Sequence, residues 1–262
     1  MPDAPTLPGS FARDGELLHP SRFTESGWTP DTLMGRYLAG LVAWAAEQHS
    51  EPDLQPSRLT VDMFRPAPMG PTMLRTTVVR SGRRIRVVDV DVVVAGVVVC
   101  RGSVVFLRRS YMPDSSPWYP AEWSPPVPET LQTMAAVGWE APWDQRLMGT
   151  WGDPHSSRGI WLRETHPFVA GEPLSPFVRV ALAVDNANGG INVGPRGLPY
   201  INADLTLTLA ALPEGDWIGL DPISRAVGEG ISVGSVDVYD LRRRIGQVAM
   251  IGLVDERTLR PQ

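Results

Sequence analysis

Apolar and polar residues alternate along this chain in two stretches of similar order. Residues 33–48 set Leu38, Leu41, Val42, Ala45 and Ala46 on one face at helical spacing. Gly35, Ala39, Gly40 and Ala43 keep the body of that helix thin. Trp28-Thr-Pro-Asp before it carries a start signal, with Thr29 or Asp31 as cap and Pro30 in the first turn. Residues 51–56 read as a connector. Val-rich alternation at period two then predicts strands over 58–64, 73–79, 84–94 and 97–107, with turns at Ser81-Gly82 and Ala95-Gly96. In the second stretch, 158–165 reads as a strand. Residues 176–185 are apolar on nearly every side, the pattern of a helix buried all round. Asn186-Ala-Asn-Gly-Gly190 tolerates left-handed backbone and predicts the end of that helix. A strand follows over 200–209, alternating from Asn202 onward, then a short one at 216–220 and longer ones at 230–238 and 246–254. Residues 1–14 read as a loose arm.

The order of one long helix followed by antiparallel strands thus occurs twice. Residues 58–62 can be laid over 200–204, placing Asp62 on Asp204 at an offset of 142 positions, which reads as an internal duplication. One helix packed on one antiparallel sheet per half gives an α+β pseudo-dimer. The two sheets are expected to join edge to edge, because joining covers an edge of each. The reading places one repeat at 1–110, a second at 146–262, and a Pro- and Trp-rich connector at 111–145. Proline resists helix and interior strand there. Trp118, Trp123, Trp139 and Trp143 predict that the connector lies against the domains.

Composition narrows the chemistry. An apolar fraction of 43% is ordinary for a globular core, and a net charge of −5 with no basic run argues against nucleic acid as a partner. A single cysteine, Cys100, excludes internal disulfides and a cysteine-based metal site. His19, His49, His155 and His166 lack metal-ligand spacing, so no metal and no cofactor is expected. Gly-x-Ser-x-Gly elbows, phosphate loops and dinucleotide fingerprints are absent from the sequence. The longest apolar run, 92–100, falls short of the ~20 residues that span a bilayer. The first residues lack the basic start of a signal peptide. The expectation is a cytoplasmic soluble protein without a membrane span, a monomer or a homodimer of pseudo-dimeric units.

Asp185 ends the buried helix, where the macrodipole disfavours a carboxylate. Asn202 opens the strand that follows. Polar atoms are thereby placed in an apolar layer, which is the pattern of a site and equally that of a capped core helix.

Several stretches resemble the acyl-CoA thioesterase II family in its actinobacterial form, a double hotdog fold of two repeats, each an antiparallel sheet wrapped around a long helix. They are Trp28-Thr-Pro, Gly35-Arg-Tyr-Leu-Ala-Gly40, Arg58-Leu-Thr-Val-Asp-Met-Phe-Arg-Pro66 and Val79-Arg-Ser-Gly-Arg-Arg-Ile85 in the first half. The second half contributes Val184-Asp-Asn-Ala-Asn-Gly-Gly190, Ile201-Asn-Ala-Asp-Leu-Thr206 and Gly215-Asp-Trp-Ile-Gly-Leu-Asp221. The resemblance implies hydrolysis of an acyl-CoA thioester by a water that an acidic residue, a Thr-type residue and a Gln hold. Asp185 matches the acidic position and Asn202 the Thr-type position, with Thr206 a further polar neighbour. Met250 stands at the Gln position, and Gln247, three residues earlier, faces the other side of the strand. Gly35, Tyr37, Gly189 and Met250 are the expected substrate-binding residues, the glycines admitting a pantetheine chain; tight helix packing accounts for the same glycines. The departure at Met250 keeps a second reading open, a non-catalytic acyl-CoA or acyl-chain binding protein. A hydratase would need a histidine soon after Asp185, and none follows.

Overall fold

The structure is a computed structural model and describes residues 8–27, 29–114, 118, 124–134 and 141–255. Trp28, Trp123 and Trp139 lie outside the described residues. Among the described residues, thirteen strands form one sheet whose order mirrors itself about the centre. The first half contributes β1 (Phe11–Asp14), β2 (Leu17–Pro20), β3 (Leu54–Met63), β4 (Thr72–Ser81), β5 (Ile85–Val94) and β6 (Val97–Arg108). The second contributes β7 (Trp143–Leu147), β8 (Ile160–Glu164), β9 (Tyr200–Asn202), β10 (Asp204–Leu209), β11 (Ile218–Gly228), β12 (Ile231–Tyr239) and β13 (Arg244–Val254). Across the sheet they run β1-β2-β4-β5-β6-β3, then β10-β13-β12-β11-β8-β7, with β9 beside β13. This is the α+β pseudo-dimer that the duplicated pattern predicts and the double hotdog that the resemblance implies. The halves join edge to edge through β3 and β10.

Three helices cover the inner face: α1 (Gly35–Glu47), α2 (Pro176–Val184) and α3 (Ala187–Asn192). α1 lies on the first half's strands, and α2 and α3 on the second's. α1 and α2 are antiparallel. Asp185, just past the end of α2, meets Gly35 at the start of α1, and Ser175 before α2 donates its hydroxyl to Glu47 at the end of α1 at 2.5 Å. Gly40 permits this closeness, since a Cβ there would stand 2.8 Å from both Leu182 and Phe168. One apolar core built from both halves surrounds the helix pair.

Several expectations are corrected. The duplication overlay slips by four residues. Thr60 and Thr206 are the middle pair of the five that join β3 to β10, so the equivalent positions lie 146 apart rather than 142. An even slip preserves alternation, so period two could not detect it. Residues 8–14 are no loose arm, and residues 1–7 of that expectation lie outside the described residues. β1 and β2 form a hairpin around Gly15, whose φ of +59 suits glycine, and Phe11 exchanges backbone bonds with Phe168 and Ala170 of the other half. Strand β3 starts at Leu54, inside the expected connector. β11 runs for 11 residues where a short strand was predicted, continuing through Pro222 by way of an irregular register. The expected helix end at Asn186–Gly190 is only a break. Asn186 folds its amide back to the Ala183 carbonyl at 3.2 Å, and α3 resumes through both glycines. The connector is divided. Residues near its end bond the second half, with Trp161 donating to the Pro126 carbonyl at 3.1 Å and Arg146 to that of Leu131 at 2.8 Å. Trp118 is exposed.

Phe11 is fully buried, with ring centroids 6.0 Å from Tyr37 and 5.2 Å from Phe168. Phe11→Ala should cost about 3 kcal/mol of stability in urea unfolding, as for other buried aromatic truncations. A loss below about 0.5 kcal/mol would mean that the hairpin does not hold the two halves.

Candidate functional site

The first turn of α1 has no cap from its own sequence. Met34 occupies the cap position with no side-chain hydrogen bond. Thr29 and Asp31, the expected caps, lie upstream, and the Thr24–Met34 and Ala67–Leu33 backbone bonds carry the chain past them. The carboxylate of Asp185 fills this place from the other half. It lies against this turn, where the Arg36 backbone N–H favours its ionised form, and a Cβ on Gly35 would stand 2.8 Å from its Oδ1 and 3.2 Å from its Oδ2. Only glycine leaves room for the carboxylate at that distance. A carboxylate unfavourably placed at the end of one helix thus finds the positive end of the next.

Asn202 completes the seat. Its Nδ2 donates to Asp185 Oδ1 at 2.7 Å and lies 3.9 Å from the sulfur of Met63. Asn202 faces inward because of a β-bulge. From Asn202 to Thr206 the chain takes four steps, while its partner β13 takes three, from Gly252 to Ala249. Ala203 donates to the Ile251 carbonyl, and the Asp204 side chain accepts the Ile251 N–H, both at 2.8 Å. The extra residue re-aims everything on one side of it. A matching irregularity breaks β3 between Pro56 and Arg58, 146 positions earlier.

Of the residues singled out in the sequence, the structure brings together Asp185, Asn202 and Gly35. It does not bring Thr206 to them. Even spacing suggested a shared face, but the bulge inverts the parity, and Thr206 faces outward opposite Thr60. Tyr37 lies in the core beneath Phe11, and burial pushes its hydroxyl pKa up to about 12. Gly189 is packed by Trp151, 2.7 Å from where a Cβ would lie, and Gly190 by Pro222; both make room for rings rather than for a chain. Met250 is a core residue. The residue that the ladder sets opposite Asn202 is Gly252, not Met250. Gln247 faces the outer side, 3.5 Å from Asp237 Oδ1. Asp204 serves the bulge, and burial and Asp62 raise its pKa.

The sequence reading passed over a buried ion pair beside the seat. Arg36 and Glu164 of β8 pair with side chains 3% and 4% exposed. The signal was present: Arg36 is the one charge within an otherwise apolar run from Thr32 to Ala46.

Asp185 keeps some accessible surface yet is ringed by protein, and this desolvation raises its pKa. The bond from Asn202, the charge of Arg36 and the Arg36 N–H oppose the rise without cancelling it. The unfolded chain releases this proton near pH ~3.9, whereas the folded chain holds it to a higher pH. Between those two values the folded state binds the extra proton, so stability declines as pH rises through that window and levels off above it. Asp185→Asn should make that decline shallower, with Glu47, Glu164 and Asp204, whose pKa values burial also raises, leaving the remainder, checked by urea midpoints from pH 4 to 8. An unchanged pH dependence would show that the carboxylate is not desolvated.

The comparisons with known proteins agree with this architecture. The model of the acyl-CoA thioesterase N-terminal domain matches residues 24–107, and that of the acyl-CoA thioesterase C-terminal domain matches 113–252. No curated protein matches the chain. Among solved structures, a conserved protein of unknown function with hot dog fold from Alicyclobacillus acidocaldarius superposes with a TM-score of 0.73 at 20% identity, over 94% of this chain and 95% of that one. An acyl-CoA thioesterase II, TesB2, from Mycobacterium marinum gives 0.62 at 17% identity, over 92% and 94%. A tesB protein from Mycobacterium avium subs paratuberculosis gives 0.65 at 15%, over 94% and 96%. At these identities the structures establish the shared fold. The two domain models, which together take in both halves and the β3–β10 seam, establish that the chain belongs to the acyl-CoA thioesterase family.

Proposed function

We propose that this protein hydrolyses acyl-CoA thioesters to the free acid and CoA, with a water activated at Asp185. The observation that carries the reading is the 2.7 Å bond from Asn202 to Asp185 at the start of α1, which has no side-chain cap of its own. A raised pKa suits a general base, because a carboxylate with an ordinary pKa is a weak base at neutral pH. Asn202 uses one amide hydrogen on Asp185, which leaves its carbonyl oxygen able to accept from the same water. Between them they can hold the water with a lone pair directed at the thioester carbon.

Asp185 takes a proton from water, and the oxygen bonds to the acyl carbon. The carbonyl becomes an oxyanion near the positive end of α1, where helix N-termini favour negative charge. The tetrahedral intermediate collapses, the C–S bond breaks, and the thiolate of CoA leaves to receive the proton that Asp185 holds. The products are a carboxylic acid and a free thiol, with Asp185 restored.

Thiol release from an acyl-CoA panel tests this reading. Asp185→Asn preserves shape and removes the base, so kcat should fall by ~10² or more. For the wild type, kcat/KM should decline on the acid side at a pH above the usual aspartate value of ~3.9, since only the ionised form accepts the proton. An undiminished rate in Asp185→Asn would move the chemistry elsewhere. Acyl-CoA binding without thiol release in the wild type would support a binding protein instead.

A further inference from the structure

Arg36 holds the seat with its backbone and reaches away from it with its side chain. The residue is 2% exposed. It pairs with Glu164 on β8 and lies 3.9 Å from the ring centroid of Trp143 on β7. Its Nε and Nη1 are buried without a hydrogen-bond partner. Both β7 and β8 belong to the second half, so this side chain crosses the same junction that Asp185 crosses in the opposite direction. Among the described residues it forms the one ion pair with both side chains under 5% exposed. Burying two charges is a poor route to stability, since desolvation offsets their attraction. A pair placed one residue from Gly35 calls for another explanation.

We propose that the Arg36–Glu164 pair is a positioning device for Asp185: it ties the first turn of α1 to β8 and sets the charge that the carboxylate meets. Arg36 acts as a positioning residue through its side chain, without touching substrate. One carboxylate partner and two unpartnered nitrogens, Nε and Nη1, leave its positive charge incompletely satisfied. Part of that charge is directed to Asp185, which Arg36 favours in its ionised form. The surroundings contain few rivals. β9 presents Asn202 and β3 presents Met63, neither of which titrates. Tyr37, next on α1, stays neutral with its pKa near 12. Burial raises the pKa of Glu164, which Arg36 and, to a smaller extent, Arg179 of α2 oppose. Glu164 therefore tempers Arg36, and Arg36 acts on Asp185.

The inference rests on the reading of Asp185 as the base, and the test separates the two. The readout is the acid limb of kcat/KM against pH, measured on full-length protein with one acyl-CoA. Glu164→Gln removes the tempering charge and should move the limb down. The double variant Arg36→Met with Glu164→Gln removes the cation without stranding a buried anion. It should move the limb up by about one pH unit, the usual effect of losing a nearby opposite charge. A merely structural pair would shift both variants the same way or neither, and either result overturns the proposal. If the double variant fails to fold, the Glu164→Gln profile decides alone: a limb that does not move down overturns it. Were the wild type to show no thioester hydrolysis, the proposed function itself would fail, an outcome distinct from active variants with unmoved limbs.

Discussion

Everything at the centre of this protein depends on a carboxylate from one repeat capping the helix of the other. α1 begins without a cap of its own, and α2 ends in Asp185, which a lone helix would place badly. Each defect is corrected by the other only when the helices run antiparallel with their ends in register. That requirement explains Gly35, where the carboxylate lies against the backbone, and Gly40, where the helices cross with Leu182 and Phe168 filling the missing Cβ. It also explains why the seam is so heavily stitched: β3 to β10 in the sheet, Phe11 to Phe168 at the edge, and Arg36 to Glu164 beside the seat. The seat draws on both halves, Gly35 from the first and Asp185 with Asn202 from the second.

The two ends of the helix pair are not equivalent, although the sheet is nearly symmetric. At the other end, α2 starts with a local cap, Ser175 accepting the Val178 N–H at 3.1 Å, and Pro176 suits the first turn. Glu47 stands there as Asp185 stands here, but it accepts the Ser175 hydroxyl. Strand β3 carries Pro56 where the repeat places Asn202, and proline offers no donor. One end closes on itself through its own residues; the other is completed by a carboxylate that keeps some accessible surface. The mirrored sheet offers two comparable helix junctions, and their side chains make them differ.

Much of this was legible in the chain. The two helix-then-strands runs, the antiparallel class and the pairing of Asp185 with a polar strand start follow from periodicity and from one ill-placed carboxylate. What escaped the sequence did so for identifiable physical reasons. Alternation has period two, so it could not distinguish an offset of 142 from 146, nor see the bulge at Ala203 that turns Thr206 outward. A cap supplied by a distant residue leaves no local signature, so Thr29 and Asp31 drew attention that belonged to Asp185. Glycines look alike whether they admit a ligand or a ring, and only coordinates show Trp151 over Gly189. Arg36 was visible as a lone charge in an apolar helix, but its partner Glu164 lies 128 positions away.

Carbon-13 NMR titration of the Asp185 side chain, assigned by its loss in Asp185→Asn, measures the central interaction without assuming a substrate. The account predicts a midpoint above the ordinary aspartate range that coincides with the acid limb of thioester hydrolysis. A midpoint at or below about 3.9, the value of a solvated aspartate, would contradict it, because the carboxylate would then be neither desolvated nor suited to take a proton from water.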